Sequence, residues 1–161
     1  MKKLMLLAGL YCLQPALYAS SWVNPGINNI NYEALPINAS DRAKAHFSAN
    51  YSEAHDATWY TLPNKDMYCL FHTKKVTNRV FYNSHGNWEY TLVGYPGSAL
   101  PSEIREEVVN AYDGYEITWV NEIRSFQNKP VYVINIENVS HLRVIKLAGD
   151  EIEEQQVFVK E

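Results

Sequence analysis

Basic residues, cysteines and long apolar runs are all scarce in this chain, and each scarcity removes a class of function. Fourteen Lys and Arg stand against eighteen Asp and Glu, so the clustered cations that neutralise nucleic-acid phosphates are missing. Nucleic acid is excluded as a partner. Two cysteines, Cys12 and Cys69, form no CxxC pair for zinc or redox chemistry. The five histidines, His46, His55, His72, His85 and His141, fall on different expected elements, and no two stand at i, i+4. His55 and Asp56 are sequence neighbours, and neighbours on an extended chain point apart. No metal site and no cofactor are therefore expected. There is no phosphate loop, and Gly97-Ser98-Ala99 lacks the second glycine of a nucleophile elbow. The carboxylate groups Glu103, Glu106, Glu107 and Glu151, Glu153, Glu154 suit a helix N-terminus and a solvated face. The chain reads as non-enzymatic.

The apolar stretch Leu4 to Leu13 falls far short of the roughly 20 residues a bilayer span needs. It follows Lys2 and Lys3 and leads through Pro15 to Ala19, Ser20 and Ser21, the three parts of a secretory signal peptide, with cleavage expected after Ala19. Lipid attachment at Cys12 is the rival, and the bulky Tyr11 before it disfavours that processing. Residues 20–37, rich in Asn and broken by Pro25, Gly26 and Pro36, read as an irregular leader. Removing residues 1–19 from 161 leaves 142, the size of one domain, with no membrane span. Such a protein is periplasmic or extracellular. Cys69 is then the one thiol left, so an apolar core rather than a disulfide must hold the fold. In the run Met67-Tyr68-Cys69-Leu70-Phe71 it reads as a small buried hydrophobe.

From residue 38 the pattern predicts a helix over Ala39–Asn50, capped by Asn38 or Ser40. Strands follow over Ala54–Leu62, Met67–Val76, Arg79–Ser84 and Asn87–Val93, with turns at Pro63–Asp66 and Ser84–Asn87. Gly94 to Ser98 reads as a connection. Pro101 then opens a second helix with Ile104, Val108, Ala111 and Tyr112 on its apolar stripe. Four more strands read over Tyr115–Phe126, Pro130–Glu137, Leu142–Leu147 and Glu151–Val159. Ala57-Thr58-Trp59 matches Ile117-Thr118-Trp119, and Tyr68–Phe71 matches Val131–Ile134, at similar offsets. The expected fold is α+β: two tandem helix-plus-four-strand units, 38–97 and 98–161, sharing one curved antiparallel sheet with both helices on one face.

These residues resemble a known family. Ala57-Thr58-Trp59, the strand-and-turn Val80 to Trp88, and Leu100-Pro101 opening a helix that leads into Ala111-Tyr112-Asp113-Gly114-Tyr115 are similar to the PepSY-like proteins of the Bacteroidetes envelope. Those proteins resemble β-lactamase inhibitory protein in fold. The resemblance spans roughly Asn38 to Phe158 and implies export and a tandem helix-and-sheet fold. It departs at Asn83, where an acid is common before the turn, and at Ala148-Gly149-Asp150, where Asp-x-x-Gly is more usual.

Alternation places Cys69 and Phe71 on one face of a strand and Tyr68, Leu70 and His72 on the other. Twelve Tyr and four Trp are more than one helix-covered face can bury. They serve either as sheet framework or as a recognition surface, for which rigid rings with a polar handle are suited. The expected binding residues are Tyr60, Tyr68, Leu70, His72, Phe81, Trp88 and Tyr90. The partner expected is a protein or peptide of the cell envelope, in the inhibitor-like case an exported hydrolase; the alternative is a small molecule, metal or glycan bound by a sensory domain.

Overall fold

A computed structural model describes residues 38–73, 76–126 and 129–161. The signal peptide and leader expected over residues 1–37 lie outside the described residues. Helix α1 (Asp41–Asn50) starts where Ser40 Oγ accepts the Ala43 N–H at 3.3 Å, and it buries Ala43 and Phe47. Four strands follow: β1 (His55–Thr61), β2 (Met67–Thr73), β3 (Val76–Tyr82) and β4 (Trp88–Pro96). A 3-10 turn (Gly97–Ala99) leads to α2 (Ser102–Ala111), then to β5 (Glu116–Ser125), β6 (Val131–Glu137), β7 (His141–Ala148) and β8 (Glu151–Val159). The strands form one antiparallel sheet in the order of the chain, so two helices and eight strands make an α+β fold.

Both helices cover the same face. Under α1 pack Ala43, Phe47, Met67, Cys69, Phe71, Val80 and Tyr82. Under α2 pack Val93, Tyr95, Val108, Ile117, Val120, Ile134, Ile136, Ile145 and Leu147. Phe71 of the first cluster stands opposite Asn78, which stands opposite Val93 of the second. Cross-strand partners share a face, so the two cores lie side by side on one surface. Each strand supplies alternate residues to them, as a half-buried antiparallel strand must.

Polar groups lie on the helix-covered face among the apolar ones. Thr91 Oγ1 lies 2.7 Å from the Tyr51 hydroxyl and accepts the Trp88 indole N–H at 3.1 Å. The buried Glu122 accepts from the Tyr95 hydroxyl at 2.8 Å and from Arg124 Nε at 2.6 Å. Burial of a carboxylate is tolerable only with such donors.

The structure corrects several boundaries. β2 ends at Thr73 and β3 begins at Val76, which pair with each other; no Gly or Pro marks that reversal in the sequence. Gly94 to Pro96 continue β4 instead of forming a connection, and pair with Asn121 to Trp119 of β5. Gly94 belongs in the strand because the Trp119 ring lies over it; a Cβ there would come within 3.1 Å of that ring. Ala111, expected on the buried stripe of α2, is exposed in its last position. Asn83 meets the need an acid would: its Oδ1 accepts the His85 and Asn87 N–H groups, each at 3.0 Å.

Candidate functional site on the open sheet face

The face away from the helices is built by the other half of every strand. Its first four strands carry a continuous row of rings. Tyr60 of β1 stands opposite Tyr68 of β2, Tyr68 opposite Phe81 of β3, and Phe81 opposite Tyr90 of β4. The rings stack face to face: centroids are 4.8 Å apart at 21° for Tyr60 and Tyr68, 5.4 Å at 28° for Tyr68 and Phe81, and 4.4 Å at 18° for Phe81 and Tyr90. Strands about 4.8 Å apart set that spacing, and directly opposed aromatics are among the more stabilising cross-strand pairs. Phe81, at the centre, is only 4% exposed, while the three tyrosines are half-buried.

A second row runs beside the first: Thr58, Leu70, Arg79, Leu92 and Ile123 are successive cross-strand partners. Burial lowers the pKa of the Arg79 guanidinium, and the nearby Tyr68 and Tyr60 act in the opposite direction. Burial raises that of Tyr68, with Tyr60 adding to the rise and Arg79 offsetting it. Arg79, two residues from Phe81 along β3, lies on the same face beside the ladder. His72 lies further along β2, exposed, opposite His55 and Thr77. Over the later strands the face continues with Ile123, Val133, Leu142 and Val144 packed together.

Six of the seven expected residues thus share this face, and four of them form the ladder. Trp88 does not. It lies on the helix side, stacked on His46 at 5.8 Å and 14°, beside Tyr82, whose hydroxyl is 3.1 Å from His46 Nδ1. Simple alternation gives Trp88 and Tyr90 one face. The register pairs Tyr82 with Trp88 and Phe81 with Tyr90, so Glu89 is an extra residue, and this bulge shifts the phase by one. Arg79 and Leu92 were not among the expected site residues. The strand alternation that selected Phe81 also selects Arg79, and only its charge obscured it.

Among the described residues no group of three His, Cys, Asp or Glu side chains is placed to hold a metal ion, and no helix is long and apolar enough to cross a membrane. Cys69, fully buried under α1, has its thiol pushed by burial from 9.0 up to about 12, which removes it as a nucleophile.

No protein-family description matches the chain, and no curated protein matches it. Solved structures do. A DUF2874 family protein from Bacteroides ovatus ATCC 8483 superposes with a TM-score of 0.61 at 15% identity, over 73% of this chain and 89% of its own. A BLIP-like protein from Bacteroides fragilis NCTC 9343 gives 0.61 at 11% identity, over 76% and 87%. A Bacteroides eggerthii DSM 20697 protein described as "putative periplasmic" gives 0.59 at 12% identity, over 76% and 90%. At such identities the likeness is one of fold, and the fold this chain shares is that of DUF2874 and BLIP-like proteins of Bacteroides.

Proposed function

We propose that the chain is an exported, non-enzymatic domain that binds a protein or peptide of the cell envelope through the open sheet face, in the manner of an inhibitor. The observation that carries this reading is the ladder Tyr60, Tyr68, Phe81 and Tyr90 with Arg79 beside it. Tyrosine and arginine dominate binding energy at protein interfaces, because each offers large contact area with hydrogen-bonding tips. Export is supported by the signal-like pattern of residues 1–19 and by the periplasmic description of one structural neighbour. The BLIP-like neighbour supports a protein as partner. The helix followed by four strands, met twice along the chain, is read as two copies of one unit of PepSY-like ancestry, placing the ladder on the first copy.

Ring geometry favours a protein over a glycan. Sugars bind aromatics by lying on a ring face. In this ladder the faces of Tyr68 and Phe81 are each occupied by neighbouring rings on both sides. What the row presents outward is ring edges and hydroxyls, which suit the side chains and backbone of a polypeptide.

The test uses the mature protein as bait on its own envelope extract, with captured proteins identified by mass spectrometry and their Kd measured individually. Tyr60→Ser with Tyr68→Ser should weaken the specific partner by at least about 30-fold, the loss of one strong hot spot. Val109→Ser, on the exposed side of α2, should leave it unchanged. Identical capture by both variants overturns the reading. A metal or sugar that raises the melting temperature, with no protein captured, would favour the ligand-binding alternative.

A further inference from the structure

The sheet is open, with β1 and β8 at its two edges, and the edges differ. β1 pairs in consecutive register only over Thr58–Thr61, after an irregular stretch from His55 with Asp56 at φ +56°, and so short an edge offers little to another strand. β8 is nine residues long and ends in Val157, Phe158 and Val159, exposed by 43%, 40% and 75%. They are three of the six large hydrophobics most exposed among the described residues.

We infer that β8 pairs antiparallel with β8 of a second copy, across a twofold axis between Gln155 and Gln156. Backbone phase fixes this register. The Lys160 N–H bonds inward to Ser140, so Val157 and Val159 turn their N–H and C=O groups outward. β8 has its own bulge: Val144 pairs with Gln156 and Ile145 with Glu154, leaving Gln155 extra. Across that extra residue the outward phase passes to Ile152 and Glu154. Outward groups meet outward groups when Ile152 faces Val159 and Glu154 faces Val157. The same four side chains lie on the helix side, since Ile152 pairs with Leu147, Glu154 with Ile145 and Val157 with Arg143. Faces and hydrogen bonds therefore agree in one alignment.

Charge agrees as well. In this alignment Glu151 faces Lys160 and Glu153 faces Phe158, so no glutamate meets another. A parallel, in-register pairing would set Glu151, Glu153 and Glu154 against themselves, which is destabilising. The partner that fits this edge is the chain itself, and the product is a continuous sixteen-stranded sheet with both open faces on one side. This edge is separate from the aromatic ladder at the far end of the sheet, so either reading can fail without the other.

Two measurements test it on the mature protein. In sedimentation equilibrium the wild type should move from monomer to dimer with concentration, and Val157→Glu with Val159→Glu, which sets a new carboxylate against Glu154 and another against Ile152, should weaken the dimer at least tenfold while the melting temperature is kept. For mild oxidation, Gln155→Cys lies beside its own symmetry mate and should form a disulfide-linked dimer. Glu151→Cys should not, since nine residues at about 3.3 Å each put its mate about 30 Å away. The native Cys69 is fully buried and silent. A wild type monomeric at every concentration, equal dimerisation by the glutamate variant, or cross-linking through Glu151→Cys would each overturn the inference.

Discussion

Gly97 is pressed against the backbone of β5, and replacing it with alanine should damage the junction between sheet and second helix. Its chain position lies where β4 hands over to α2, pressed against β5. A methyl group there would stand 2.0 Å from the Ile117 carbonyl oxygen, 2.6 Å from its carbonyl carbon and 2.8 Å from its Cγ2. Relaxed contacts between heavy atoms sit at about 3.5–4.0 Å, so turn and strand must part by roughly 1.5 Å. Neither side yields easily. Ile117 is held by its partner Ile136 and buried in the α2 core. The Gly97 carbonyl accepts from the Leu100 N–H at 3.1 Å and from Arg105 Nη2. Overpacking of this kind costs about 1–3 kcal/mol, and with backbone on the far side the upper end, about 3 kcal/mol, is expected.

For a domain of this size that loss lowers Tm by roughly 9 °C, with a matching fall in the urea midpoint at unchanged m-value. Gly149→Ala is the control. No atom lies within 4 Å of its added Cβ, but φ is +66°, so it should cost only the left-handed penalty of about 1–2 kcal/mol. A Gly97→Ala protein that melts within about 2 °C of wild type, or no lower than Gly149→Ala, refutes the close approach and with it the placement of α2 on the sheet.

Two further outcomes follow from buried groups. Tyr95→Phe removes a donor from the buried Glu122 carboxylate and should cost about 1.5–3 kcal/mol in urea unfolding; combined with Glu122→Gln the losses should fall short of their sum, and strict additivity would refute the coupling. Cys69 holds its proton up to about 12 in the folded chain against 9.0 when free, so its contribution to stability is complete below about pH 9 and is lost as pH rises toward 12. Burial pushes Tyr82 and Tyr95 up too, which extends the loss at higher pH. Cys69→Ala should flatten the urea midpoint between about pH 9 and 10, and an unchanged slope would count against the buried thiol.

Alternation of side chains was the legible signal, and it placed most elements. Tyr68, Leu70, His72 and Phe81 fall on the face their spacing predicts because Met67–Thr73 and Val76–Tyr82 pair with no register shift, and Tyr60 joins them opposite Tyr68. Legibility fails where one extra residue enters. Glu89 carries no mark distinguishing it from an ordinary strand residue, yet it sends Trp88 to the helix side. Gly94 failed in the opposite sense: glycine signals a loop, and here it makes room for the Trp119 ring lying across the strand. The reversal between Thr73 and Val76 lacks turn residues altogether. At Gly94 the missing information is a tertiary neighbour, the Trp119 ring, which local spacing cannot contain.

The ladder also divides labour by burial, and the division bears on how the face would bind. Phe81 is almost wholly enclosed by Tyr68 and Tyr90, so its truncation acts on stability, at about 3–5 kcal/mol for an aromatic in such packing. Tyr60 and Tyr68 are half-buried, and their rings are held in place by that packing. A partner meeting them would lose little side-chain entropy on their account, since stacking has already removed it. The same stacking that stabilises the first four strands thus preorganises the proposed contact surface, and a face built this way gains affinity without any element having to move.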